Sequence, residues 1–135
     1  MSIHVLFAED DNFQRLAVTH ILQLCNYQVT AVENGRIARD ILLKQDQKID
    51  IVLLDIRMPE MDALELLSFM QEHSENLQKI PVVIISLNDL EIQTFLERGA
   101  KDFIIKPMKI QNAKAIAKYV QIEDQGDKNS DISRI

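Results

Sequence analysis

The chain has no tryptophan and only two tyrosines, so it lacks the usual aromatic equipment for stacking on nucleobases or flavins. A single cysteine, Cys25, excludes an internal disulfide and a cysteine metal cluster. Cys25 sits among apolar residues and reads as a small buried hydrophobe, with a reducing compartment as the default. No apolar run approaches the roughly 20 residues that a membrane helix needs. The first residues, Met1-Ser2-Ile3-His4, lead almost directly into a strand-like run. They lack the basic segment followed by an apolar one that marks a secretion signal. The expected location is cytoplasmic, or nuclear if the source is eukaryotic, with no membrane partner. Positive charge is also in short supply: 15 Lys and Arg against 21 Asp and Glu leave a net charge of −6. That argues against direct nucleic-acid binding, which rests on neutralising phosphates, although a local basic patch stays open.

The 135 residues fit one domain, and a 47% hydrophobic content is ordinary for a globular chain of that size. Short apolar runs alternate with longer amphipathic ones. Residues 3–8 read as a strand. Phe13, Leu16, Ala17, His20, Ile21 and Leu24 then recur at helical spacing and predict one apolar helix face, with Asp11 or Asn12 as the cap. Residues 28–32 alternate like a strand, and Asn34-Gly35 signals a turn before a second helix marked by Ile37, Ala38, Ile41 and Leu42. Residues 49–54 form the next strand. The loop Met58-Pro59-Glu60-Met61-Asp62 follows, with Asp62 able to cap a third helix that is apolar nearly all round over residues 64–70. Residues 81–86, PVVIIS, read as a strand, and Ile92, Phe95 and Leu96 as a fourth helix stopped at Gly99. Residues 102–105 form a short fifth strand. Lys106-Pro107 breaks the chain, and Ile110, Ala113, Ile116, Ala117 and Val120 mark a last helix. Five strand–helix units predict an α/β fold with a parallel sheet. The most apolar strands, at 3–8, 49–54 and 81–86, should be central and covered on both faces. The domain is expected over residues 1–122, and the polar, aperiodic residues 123–135 read as a disordered tail.

In open parallel sheets, ligands bind beyond the carboxyl ends of the strands. Here those ends carry Glu9, Asp10 and Asp11, then Asp55, then Ser86, then Lys106. Clustered carboxylates repel unless they share a cation. An oxygen-only donor set suits a hard ion such as Mg²⁺, with Mn²⁺ an option. A carboxylate beside such an ion can attack phosphorus and form an aspartyl phosphate. Ser86 and Lys106 would then hold the phosphoryl oxygens, since positioning and charge neutralisation are most of what phosphoryl transfer asks of a protein. Each residue alone has an ordinary reading: acidic residues at a helix start, a loop aspartate, a capping serine, a solvated lysine. Their coincidence at four strand ends is what points to a site.

Four blocks carry a resemblance to the receiver domains of two-component response regulators: VLFAEDD, IVLLDIRMPEMDALELL, PVVIIS and GAKDFIIKP. The second is the most specific, because it sets Asp55 before a Met58-Pro59 loop and a helix. The segment LCNYQVTAVENG resembles plant-type receivers more weakly. The resemblance spans residues 3–120 and implies a flavodoxin-like, five-stranded parallel sheet of order 2-1-3-4-5 flanked by five helices. It implies that Asp55 is the phosphoacceptor and that Asp10, Asp55 and the backbone carbonyl of Arg57 bind Mg²⁺ directly. Glu9 would act mainly through bound water. Ser86 takes the switching-hydroxyl position, Lys106 the phosphate contact and Phe103 the aromatic switch. A cis Lys106–Pro107 peptide is implied as well. The phosphodonor would be a histidine kinase or a histidine phosphotransfer protein. The state would be relayed to a downstream protein through the surface around the fourth helix, fifth strand and last helix.

Two departures stand out. Ala63 replaces the family's usual glycine, and Leu87 follows Ser86 where a small residue is usual. Leu87 either restricts entry to the acceptor or is turned aside by its loop. On that ground the alternative is a pseudo-receiver, an interaction module that takes no phosphate. A dehalogenase-type phosphatase would need an Asp-x-Asp motif after the first strand, which Glu9-Asp10-Asp11-Asn12 does not supply. A flavodoxin-like electron carrier would need a Ser/Thr/Gly-rich phosphate loop where this chain is acidic. The reading is therefore a signalling receiver rather than an enzyme with its own substrate turnover.

Overall fold

Alternate residues along each apolar strand point to opposite faces of a sheet, so an unbroken apolar run demands cover on both sides. In the computed structural model, which describes residues 2–120, that demand is met. The strands are β1 (His4–Ala8), β2 (Gln28–Val32), β3 (Ile51–Asp55), β4 (Val82–Ser86) and β5 (Asp102–Ile105). All pair in parallel, in the order β2-β1-β3-β4-β5. Between them run α1 (Asn12–Leu24), α2 (Gly35–Lys44), α3 (Ala63–His73), α4 (Glu75–Gln78), α5 (Ile92–Glu97) and α6 (Ile110–Ala115), the last continued by a 3-10 turn over Ile116–Tyr119. The expected residues 121–122 of the domain and the tail at 123–135 lie outside the described residues.

Two cores flank the sheet. Leu6, Val52, Leu54, Val82 and Ile84 face one side with Ala38, Leu66, Met70 and Phe95 from α2, α3 and α5. Val5, Phe7, Ile51, Leu53, Val83 and Ile85 face the other with Val18 and Leu22 of α1 and Ala113 and Ile116 beyond β5. β1 and β3 are buried along their whole length, whereas the edge strands β2 and β5 are only partly buried.

Three expectations need correction. The described residues hold six α-helices, not five. The additional one, α4, is a single turn capped by the Ser74 hydroxyl, which accepts from Leu77 N at 3.2 Å. Such a turn has too few residues to show a helical period. Cys25 is half-buried at the C-cap of α1 rather than fully buried. The predicted apolar face of α1 is not the buried one. Val18 and Leu22 pack on the sheet, while Phe13 is 78% and Leu16 70% exposed. One residue is a rotation of about 100° around a helix. The helix carries two adjacent apolar stripes, and the Val18–Leu22 stripe faces the sheet.

Local chemistry fixes the ends that matter for the site. Asp11 caps α1 by accepting from Gln14 N at 2.8 Å, and Asp62 forms a capping box with Glu65 at the start of α3. Asn34 caps α2, and Gly35 N donates to Met61 O at 3.0 Å. That bond ties the start of α2 to the loop after β3. Ala63 is fully buried at the first position of α3.

Candidate functional site

β1 ends at Ala8, and the chain turns at once into α1, leaving Glu9 only 2% exposed beneath the rim. Glu9 N donates to Val32 O at 3.0 Å, which carries the edge of the sheet one residue past the strand. β3 ends on Asp55, 8% exposed and adjacent to β1 in the sheet. Carboxylate oxygens of Glu9, Asp10 and Asp55 all lie within 4.8 Å of one another, with Asp10 at the exposed mouth. The strand order therefore joins residues far apart in sequence into one acidic pocket.

Lys106 follows β5 and reaches back over the rim. Its backbone N donates to Ser86 O at 2.7 Å, and the Lys106–Pro107 peptide is cis, as the resemblance implies. Its Nζ donates to Asp55 Oδ1 at 2.7 Å, Glu9 Oε1 at 3.3 Å and Gln14 Oε1 at 2.6 Å. Burial, then the neighbouring Asp55 charge, raise the Glu9 pKa above the ordinary carboxylate value despite the pull of Lys106. For Lys106, burial works to lower the pKa, but the hydrogen bond and charge of Asp55, with Glu9, raise it overall. The pocket thus holds more negative charge than one ammonium balances, and its donors are all oxygen, which fits a hard divalent cation.

Ser86 ends β4, half-buried, one strand across from Asp55, which pairs in register with Ile85. Arg57, two residues beyond Asp55, points its guanidinium to Glu91 at 2.6 Å, across to the start of α5. Phe103 on β5 is half-buried, its ring 6.3 Å from that of Phe95. Leu87 is 75% exposed and lines a groove of about 330 Å³ with Phe13, Ala17, Ile21, Pro107 and Met108. Lys106 borders the same groove, so an apolar trough runs from α1 to the acidic pocket. A larger cleft of about 430 Å³ lies at the opposite rim, before β3 and β4, away from these groups.

Sequence reasoning missed Gln14 and the groove. The signal for Gln14 was its place one turn into a helix whose cap adjoins the acidic run. The signal for the groove was the apolar face of α1, which supplies Phe13, Ala17 and Ile21 to its lining.

Fold and rim together define a flavodoxin-like receiver architecture. The family model for the response regulator receiver domain matches residues 5–118. The two-component response regulator ORR11 of Oryza sativa is 39% identical over 108 residues, which span 78% of this chain and 72% of that protein. The signal receiver domain of a histidine kinase from Syntrophus aciditrophicus is 31% identical with a TM-score of 0.71, covering 89% of this chain and 96% of that one. The receiver domain of the sensor histidine kinase PA1611 from Pseudomonas aeruginosa has a TM-score of 0.75 at 23% identity, over 87% of this chain and 96% of that one. That structure has a magnesium ion coordinated in its active-site cleft. This chain belongs to the response-regulator receiver family of two-component systems, whose members are signalling proteins rather than substrate-turnover enzymes. Among the described residues, no helix is long and apolar enough to cross a membrane.

Proposed function

We propose that this receiver is a phosphoacceptor switch in which Asp55 takes a phosphoryl group from a phosphohistidine donor. The observation that carries the reading is the Glu9–Asp10–Asp55 cluster with the Lys106 ammonium 2.7 Å from Asp55. An Asp55 carboxylate oxygen attacks phosphorus, and the P–N bond to the donor imidazole breaks. The electron pair leaves with the imidazole nitrogen, which then takes a proton. Lys106 offsets the charge of the transferred group, and the Ser86 hydroxyl donates to one of its oxygens. Glu9, Asp10, Asp55 and the Arg57 carbonyl would hold Mg²⁺, which supplies charge neutralisation for the phosphoryl oxygens when bound.

The donor is a histidine kinase or a histidine phosphotransfer protein. The apolar stripe of Phe13 and Leu16 with the groove beside Leu87 offers it a docking face next to the acceptor. Leu96, Ile105 and Ile110 are exposed on α5, β5 and at the start of α6, a second apolar surface suited to the downstream partner. The pseudo-receiver alternative leans on Leu87, and that side chain stands out in solvent on the α1 side of the pocket.

Incubation with phosphoramidate and Mg²⁺ should add one phosphoryl group by intact mass, and Asp55→Asn or chelation should prevent it. An unmodified protein, or modification that survives Asp55→Asn, would overturn the proposal.

A further inference from the structure

We propose that Gln14 is a positioning residue for Lys106 in the phosphorylation of Asp55. This rests on Asp55 being the phosphoacceptor. An ammonium has three N–H donors and no acceptor. Those of Lys106 meet three oxygens from three parts of the fold: Asp55 Oδ1 at the end of β3, Glu9 Oε1 after β1 and Gln14 Oε1 in the first turn of α1. The contact to Gln14, at 2.6 Å, is the shortest of the three. Among these acceptors Gln14 alone is neutral, so it fixes the ammonium without cancelling its charge.

That distinction matters when Asp55 accepts a phosphoryl group. The negative charge then moves outward to the phosphoryl oxygens, and Lys106 must turn toward them. Gln14 lies outside the acidic cluster, so its hold on the ammonium does not depend on the charge state of Asp55. It serves as a pivot. Without it, one N–H of a largely buried ammonium would face a groove whose neighbouring side chains, Phe13, Ile21 and Leu87, offer no acceptor. A hydrogen bond to a charged group is worth more than one between neutral groups, so losing the amide oxygen loosens the hold on the ammonium. Gln14 is itself held in place, because its backbone N donates to the Asp11 carboxylate that caps the helix. The amide therefore projects from a fixed helical turn rather than from a loose loop.

The test compares the unsubstituted protein with Gln14→Met, Gln14→Asn and Gln14→Glu. One readout is the Lys106 ammonium resonance in ¹⁵N-lysine NMR without any phosphodonor. The other is the rate of Asp55 phosphorylation by phosphoramidate and Mg²⁺. Gln14→Met keeps the length but not the acceptor, and should slow phosphorylation about tenfold, the order expected for one hydrogen bond to a charged group. Its Lys106 resonance should broaden through faster proton exchange, with the urea midpoint unchanged. Gln14→Asn, one methylene short, should behave alike. Gln14→Glu should restore the ammonium signature while phosphorylation stays below the unsubstituted rate, because a third carboxylate neutralises Lys106. A phosphorylation rate in Gln14→Met equal to that of the unsubstituted protein overturns this inference alone. Failure of the unsubstituted protein to be phosphorylated overturns the acceptor assignment and this inference together.

Discussion

At the scale of single residues, the pocket sets two buried carboxylates against one ammonium. Glu9 is almost fully buried beside Asp55, and one ammonium serves both. A carboxyl group whose pKa is raised in the folded protein favours folding most at low pH. That contribution is fully present below the unfolded pKa and is lost as pH rises through the folded one. Metal-free protein should therefore lose stability as pH climbs from acid toward neutral through the Glu9 titration. Lys106, also raised, keeps its contribution across that range and loses it only in strong alkali. Glu9→Gln should make the metal-free protein more stable at neutral pH and remove that part of the pH slope. Urea melts in chelator across a pH series measure both. A variant less stable than the unsubstituted protein at neutral pH would mean that the Lys106 contact outweighs the repulsion.

At the scale of elements, α1 separates two roles that look alike in a sequence. Leu22 is fully buried against the sheet and Leu16 is exposed. Leu22→Ala should cost about 2–5 kcal/mol, whereas Leu16→Ala should stay within about 0.5 kcal/mol, as surface changes do. Chemical denaturation of the pair decides which stripe is core, and equal losses would contradict the packing. The loop after β3 has its own anchor. At Gly35 an added Cβ would collide with the Met61 carbonyl oxygen, and Arg36 pairs with Glu60 at 2.7 Å in the same loop. Gly35→Ala should therefore destabilise by about 1–3 kcal/mol, the usual range for overpacking, and Gly35→Ser by no less. An unaltered urea midpoint would show that the loop yields freely.

At the scale of the whole molecule, a divalent ion held by the acidic rim would couple its binding to global stability. Mg²⁺ at a hundredfold excess over its Kd should add about 2.7 kcal/mol to the unfolding free energy by mass action. Asp10→Asn should lose most of that gain in denaturation with and without the ion, and an undiminished gain would remove Asp10 from the ligand set. A second global property is expected from the proposed switch. Phe103 is half-buried against Phe95 at the edge of one core, with Ser86 on the neighbouring strand β4. Burying an aromatic ring is worth up to about 1.5–3 kcal/mol, comparable with the gap between the states of a typical switch. Fluorine NMR at Phe103 should show two environments whose populations shift inward when beryllofluoride occupies Asp55. One unchanged environment would make Phe103 a fixed core residue.

The sequence by itself determined the class of fold and the chemistry of the rim. Unbroken apolar strands require cover on both faces, and residues such as Glu9, Asp55, Ser86 and Lys106 announce themselves as polar groups at the ends of apolar runs. Local caps at Asp11 and Asp62 were legible for the same reason, since each acts within a few residues of itself, whereas Asn34 read only as a turn residue and its capping of α2 came from the structure. Tertiary structure decided the rest. Helical spacing reveals stripes but not which stripe meets the sheet, so Val18 and Leu22 became core and Phe13 and Leu16 became surface. Gln14 is neutral and lies outside the strand ends, so no charge pattern marks it. Its role comes from the path of Lys106, which returns from β5 to the start of α1. A contact between segments so distant in sequence depends on strand order and on the docking of α1, which are set by the packing of the whole chain.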